Sequence, residues 1–183
     1  MKQLKIFFKE NKTYIKLLAI MFFLALIIGF LMGDMFPNMI EEVINSIREK
    51  DVNETFFSNF FFIFNHNIVI ILLILIMHIF LFIPTFILIY NAFITGAIMR
   101  YFFSENGYSV FLKILPHGIF EIAGIILATA FSLKLSIKML DLITRQKNKA
   151  YVGFLKKNYQ IIFLIIGLFL IASLIETILI MLL

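Results

Sequence analysis

The stretch ILPHGIFEIAGIILATAFSL, residues 114–133, decides the fold class of this chain. It lies between Lys113 and Lys134, and its one charged residue is Glu121, with His117 one helical turn earlier. Twenty apolar residues in a helix span the hydrocarbon core of a bilayer. An ionisable pair inside such a helix is costly and indicates a functional or structural role. The stretch therefore predicts a transmembrane helix that carries a polar site.

The composition of the whole chain indicates a membrane protein. Hydrophobic residues make up 62% of its 183 residues and charged residues 15%, whereas a typical soluble domain has about 25% charged residues. A water-soluble chain of this length cannot hide so much apolar surface, but lipid can cover it. We therefore predict one integral membrane domain over residues 1–183, an all-α polytopic bundle of transmembrane helices. The sequence contains no cysteine, which excludes disulfides and thiolate chemistry.

Uncharged runs and prolines mark about five spans. The runs hold seventeen residues after Lys16, forty-five after Glu54, twenty after Lys113 and twenty-six after Lys157, the last interrupted by Glu176. The run of forty-five is too long for one span and fits two spans with a tight reversal. The prolines lie after the first span, at the reversal and near the start of the fourth span. The predicted spans are 15–35, 58–82, 84–101, 114–134 and 159–182.

The charges between the spans predict the orientation. The N-terminal segment and segment 134–158 are rich in lysine and arginine, whereas segment 34–57 holds six acids against Arg48 and Lys50. Positively charged loops stay in the cytoplasm, and five spans place both basic segments on one side. We expect a multi-pass protein of the cell membrane with a cytoplasmic N-terminus and an outside C-terminus. The net charge of +5 then indicates contact with membrane lipid rather than nucleic acid.

Segment 38–50 has the pattern of an amphipathic helix. Apolar residues recur in it at helical spacing, and acids occupy other faces. Two interpretations stay open. The segment is either a connector on the outer membrane surface or a docking face for an extracytoplasmic protein partner. The apolar residues are Met39, Ile40, Val43, Ile44 and Ile47.

Polar side chains occupy defined faces of several predicted helices. In the fourth span, polar and small residues recur at increments of three or four, and such a face points toward other helices. At 1.5 Å per residue, polar residues from four spans reach the outer half of the membrane, whereas His78 lies nearer the inner side. The predicted intramembrane polar cluster consists of His117, Glu121, Asn67, Asn91 and Glu176.

Small residues at helical spacing predict where helices pack closely. The first span contains a small-xxx-small ladder, and the third and fourth spans carry further small residues on their polar faces. Such faces allow backbones to approach each other, and we also expect them to support a homo-oligomer. The predicted packing residues are Ala25, Gly29, Gly33, Gly96, Gly124 and Ala128.

Three functions are compatible with His117 and Glu121. The first is a cluster of hydrogen-bonded polar side chains that joins helices in a non-enzymatic scaffold or assembly protein. The second is a proton- or ion-coupled transporter or channel, in which the acid and the histidine relay charge. The third is a metal-dependent intramembrane hydrolase, in which both residues bind zinc. Zinc needs at least three protein ligands, and His66, His78 or Glu176 would have to supply the third.

Other catalytic motifs are missing from the sequence. It contains no HExxH, no GxSxG and no nucleotide-binding fingerprint. An enzyme is therefore the less favoured class. We predict no cofactor, with zinc as the alternative.

The stretch LPHGIFEIAG, residues 115–124, resembles the signature of the stage II sporulation protein M family, in which Pro-His-Gly-x-x-Glu lies in a late transmembrane helix. An asparagine early in the preceding hairpin also fits, as Asn65 or Asn67 in FNHNIVIILL, and so does the spacing of Asn91 and Gly96 in YNAFITGAIM. The resemblance covers roughly residues 58–135. The reversal differs, because HIFLFIPTF stands where the family usually has a glycine-rich turn.

The resemblance implies a multi-span membrane protein. In sporulating bacteria, members of the family scaffold a complex of peptidoglycan-degrading partners during engulfment, and many relatives occur in organisms that do not sporulate. It therefore favours a scaffold over an enzyme.

Overall fold

The computed structural model describes residues 2–48, 55–145 and 148–182. Within these ranges the chain forms helices and no strand. Short 3-10 turns follow α1 at Gly33–Met35 and α3 at Met77–Ile79. The helices are α1 (Lys2–Met32), α2 (Pro37–Arg48), α3 (Phe56–Ile76), α4 (Ile83–Asn106), α5 (Ser109–Arg145) and α6 (Asn148–Leu182).

Five stretches in the described part of the chain are long and apolar enough to cross a membrane. This confirms the predicted all-α fold with five candidate spans. The short α2 is the one helix outside this set. The candidate spans are Gln3–Met35, Phe56–Ile79, Ile83–Ser104, Ile114–Thr144 and Tyr151–Met181.

Three helices extend beyond the predicted spans at one end of the bundle, which we call the basic end. It is formed by the start of α1, the end of α5 and the start of α6. The basic segment 134–158 between the predicted spans is therefore mostly helix, apart from residues 146–147, which lie outside the described ranges. These extensions bury apolar side chains, since Phe7 is 1% exposed and its ring lies 6.2 Å from that of Phe131. Tertiary packing of this kind stabilises helices that carry many lysines.

The prolines lie where the backbone tolerates them, with one difference from expectation. Pro37 begins α2, and Pro84 is in the first turn of α4. Pro116 lies near the start of the fourth membrane span but inside α5, because that helix already begins at Ser109. A proline inside a helix removes one backbone hydrogen bond. The sequence pattern of the span alone did not indicate the additional helical turns before it.

Helix α5 lies at the centre of the bundle. Helices α1, α3, α4 and α6 all pack against it, and every residue from Gly124 to Ser132 is buried. Around this centre, α1 packs along α4 and α6 packs along α5.

The crossing of α1 and α4 is a contact between backbones. A Cβ atom on Gly29 would overlap the carbonyl group of Phe93, and one on Gly96 would overlap the carbonyl oxygen of Leu26. Small residues permit this approach between membrane helices. Each glycine therefore lies directly against the backbone of the other helix.

An ion pair joins the same two helices beyond their crossing, at the end of the bundle opposite the basic end, which we call the acidic end. Arg100 donates to Asp34 from Nη2 to Oδ2 at 2.6 Å and from Nε to Oδ1 at 3.1 Å. Asp34 lies in the 3-10 turn after α1, and Gly33 beside it lies against the Arg100 side chain. Bidentate pairs of this kind fix orientation as well as distance.

The reversal between α3 and α4 is a 3-10 turn that contains no glycine. The last carbonyl groups of a helix have no partner within the helix. Here Ser132 Oγ on α5 donates to the Ile74 carbonyl at 2.6 Å, and the His78 ring donates from Nδ1 to the Leu75 carbonyl at 2.6 Å. A third bond runs from Phe80 N to the Met77 carbonyl at 3.0 Å. The three bonds give these carbonyl groups at the end of α3 and in the turn a hydrogen-bond donor.

Candidate functional site

A cavity of about 190 Å³ lies between α1, α4 and α5. Its walls are aliphatic and aromatic, and three polar side chains reach it: Asn91 and Thr95 from α4, and Glu121 from α5. Phe23, on α1, belongs to its wall and is half exposed. We call this space the Glu121 cavity.

Asn91 and Thr95, the two polar residues of α4 that line the cavity, lie one helical turn apart. Thr95 Oγ1 donates to the Asn91 main-chain carbonyl at 2.8 Å, so the threonine hydroxyl retains its capacity to accept. Ala92 and Gly96 follow these residues in sequence and are buried. The side of α4 that packs against α1 thus continues directly into the wall of the cavity.

Glu121 is half-buried. Within the described part of the chain, no hydrogen bond or ion pair reaches it. A carboxyl group without a partner in an apolar environment is costly, whether it is ionised or neutral. The cavity therefore holds unused hydrogen-bonding capacity.

The other members of the predicted polar cluster do not line this cavity. Asn67 on α3 is 3% exposed, and its buried Nδ2 atom has no hydrogen-bond partner among the described residues. His117 on α5 and Glu176 on α6 are both half-buried. The structure thus brings Asn91 and Glu121 to one cavity, and the remaining three residues do not line it.

The predicted packing residues lie at contacts within this one chain. Gly29 and Gly96 meet at the crossing of α1 and α4, and a Cβ atom on Gly124 would overlap the Phe169 ring of α6. Ala25 and Ala128 are buried in the same core as these helices. The small-residue faces are therefore occupied inside the monomer.

His78 lies near the basic end of the bundle, away from the cavity. Its Nδ1 atom donates to a carbonyl group, so the neutral ring accepts at Nε2 from the Tyr151 hydroxyl at 2.9 Å. Sequence analysis did not anticipate this bond, because nothing in the sequence around Tyr151 fixes how α6 sits against the reversal.

The ion pair between Asp34 and Arg100 was also missed. The sequence did contain a signal for it, since opposite charges end the first and third spans on the same side of the membrane.

As for metals, the described residues contain no group of three or more His, Asp or Glu residues that could hold an ion.

The sequence model of the family described as Stage II sporulation protein M matches residues 14–179, nearly the whole chain. No curated protein matches the chain. No solved structure matches it.

Proposed function

The chain belongs to the stage II sporulation protein M family, and we propose that it is a non-enzymatic scaffold or assembly protein of the cell membrane. The observation that carries the proposal is a set of contacts that join helices of the bundle. The glycine crossing and the ion pair join α1 to α4, and the bond from Ser132 joins α5 to α3. A transporter needs its helices to move against each other, whereas a scaffold benefits from a frame that stays fixed.

A surface for an extracytoplasmic partner is part of this proposal. The lysines of the basic end favour the cytoplasm, which would put α2 and the C-terminus outside. Ile40 anchors α2, since it is 3% exposed and packs in one cluster with Ala97 of α4. Glu41 and Glu42 remain exposed on the same helix. We propose this anchored acidic surface as the contact for a protein partner.

The register of α5 and α6 supports the proposed polar cluster. Phe131 meets Phe154 near the basic end and Gly124 meets Phe169 further along, so the two helices run antiparallel. His117 lies seven residues before Gly124, and Glu176 lies seven residues after Phe169. Seven residues are two helical turns, which return each helix to nearly the same face. In the proposal, His117 and Glu176 therefore lie opposite each other, next to the Glu121 cavity.

Substitution of Glu121 tests the scaffold role. Glu121→Gln keeps the shape of the side chain and one acceptor oxygen, so we expect a deletion strain that expresses this variant to behave as wild type. Glu121→Ala enlarges the cavity, and we expect it to lower the free energy of unfolding by about 1–3 kcal/mol. The purified variant should therefore unfold at a lower temperature than wild type. A Gln variant that is as stable as wild type but inactive in cells would contradict the scaffold role.

Proton- or ion-coupled transport is the second candidate. The carboxyl group of Glu121 favours it, because this group lines a cavity and has no partner among the described residues. Protein reconstituted into vesicles that contain a pH-sensitive dye would then dissipate an imposed pH gradient, and Glu121→Gln would abolish the leak. The scaffold proposal expects no difference between vesicles with and without protein.

A further inference from the structure

A ridge of exposed residues on α3 contains one polar side chain. The residues recur every three or four positions, so they share one face of the helix. In a membrane this face meets lipid, and within the described ranges the Asn65 amide forms no hydrogen bond. An amide in hydrocarbon without a partner is costly, and such residues commonly join membrane helices. The α3 ridge consists of Phe61, Asn65, Val69, Leu72 and Ile76.

The Glu121 cavity presents the complementary problem, an acceptor without a donor. Phe23, Leu115 and Ile119 line the cavity and are also half exposed or more on the outside of the bundle. The cavity therefore opens sideways, toward the hydrocarbon of the bilayer.

The size of the Glu121 cavity indicates what can enter it. At about 190 Å³ it is smaller than ordinary small-molecule sites, which have about 300–1,000 Å³, and slightly larger than a cavity of about 150 Å³ that binds benzene. One side chain fits this space. A lipid molecule would also keep its polar headgroup at the membrane surface, away from Glu121.

The two unpaired groups lie at matching depth. Asn65 follows the first residue of its span, Phe56, by nine positions, and Glu121 follows Ile114 by seven. At 1.5 Å per residue these are depths of about 13 Å and 10 Å, and alternation of the spans makes α3 and α5 run in the same direction. The difference is less than the length of one side chain.

We propose that Asn65 of a second copy of this chain enters the Glu121 cavity and donates a hydrogen bond from its side-chain amide to the Glu121 carboxyl group. The surface that donates lies on α3, and the cavity lies between α1, α4 and α5, so the contact is heterologous and generates a ring or a row of copies. The small-residue faces are not available to join two copies, because they are buried between helices within each copy. The inference rests on the proposed scaffold role for the site and names its partner.

Cysteine crosslinking in membranes tests the contact, because the chain has no cysteine of its own. Phe61 is on the ridge one turn before Asn65, and Ile119 is on the rim of the cavity; both are exposed. Phe61→Cys and Ile119→Cys are placed on separate copies with different tags and co-expressed, and the membranes are oxidised. We expect a disulfide-linked species that carries both tags and becomes at least five-fold weaker when Asn65→Leu is added to the Phe61→Cys copy.

A matched control uses Ile178→Cys in place of Ile119→Cys. Ile178 is exposed on α6 and precedes the end of its span, Met181, by three residues, whereas Ile119 follows the start of its span by five. At 1.5 Å per residue their depths differ by about 3 Å, so crosslinks from random collision would appear equally with both partners. Equal yields for the two pairs would overturn the proposal. A crosslink from Phe61→Cys to Ile119→Cys that is insensitive to Asn65→Leu would also overturn it. Because the readout needs no other protein, it can succeed even if the scaffold role fails, and the Glu121→Gln complementation result would then show that failure separately.

Discussion

At the scale of single residues, the structure depends on groups that the sequence shows but does not pair. The small-residue ladder indicated that Gly29 approaches another helix, and the structure identifies the backbone of Phe93 on α4 as the contact. For the polar side chains of the cavity, too, the sequence showed the residues and the structure showed which of them come together. Asn91 and Glu121 were predicted from their helix faces, whereas the exposed Asn65 amide becomes informative only once the α3 ridge is seen.

Gly29→Ala is expected to destabilise the protein. Its new Cβ atom would overlap a backbone carbonyl, which cannot move as a flexible side chain does, so α1 and α4 must separate. Overpacking of this kind costs about 1–3 kcal/mol, more than the roughly 0.5–1 kcal/mol that alanine gains over glycine in a helix. Thermal unfolding in detergent measures the difference.

Gly167→Ala is the matched control. Gly167 is also inside a membrane helix, α6, and a Cβ atom there would meet nothing within 4 Å. This variant should be as stable as wild type or slightly more stable. Equal loss of stability in both glycine variants would refute the assignment of the α1–α4 crossing.

At the scale of elements, patterns of charge located the spans but not the full helices. The spans end near lysines because charge is costly in lipid, whereas α1, α5 and α6 continue past those lysines because their buried faces go on, as Phe7 and Phe154 show by packing on Phe131. The amphipathic pattern of residues 38–50 did predict α2, up to Arg48; residues 49–50 lie outside the described ranges.

Labelling of single cysteines should establish the direction of these elements. Asn38→Cys in α2 and Thr144→Cys near the end of α5 both replace exposed residues. With the basic end in the cytoplasm, a membrane-impermeant maleimide added to intact cells should label Asn38→Cys and leave Thr144→Cys unlabelled until the cells are lysed. The reverse pattern would show that the lysines lie outside, and a label on both would contradict an odd number of spans between them.

At the scale of the whole molecule, the sequence predicted the class and number of spans, and the structure supplied their arrangement. Hydropathy and charge act along the chain, so five spans can be read from the runs between charged residues. Which helix lies at the centre depends on contacts between distant segments. The bond from Ser132 to Ile74 is an example, because no local pattern relates two residues so far apart in sequence.

In the proposed scaffold role the protein needs no metal, and we expect the purified protein to contain zinc well below one atom per chain. A zinc site would need at least three protein ligands. Elemental analysis of protein in metal-free detergent buffer measures this. Stoichiometric zinc that disappears in His117→Ala would instead favour the intramembrane hydrolase.

The unbroken length of α5 has a mechanical consequence. From Ser109 to Arg145 the helix has 37 residues, so at 1.5 Å per residue it is about 55 Å long, well beyond the hydrocarbon thickness of about 30 Å. About 25 Å of the helix therefore lies outside the hydrocarbon. Because four other helices pack against α5, its end at Arg145 cannot tilt unless the bundle loosens, and a partner bound at that end would meet a rigid surface.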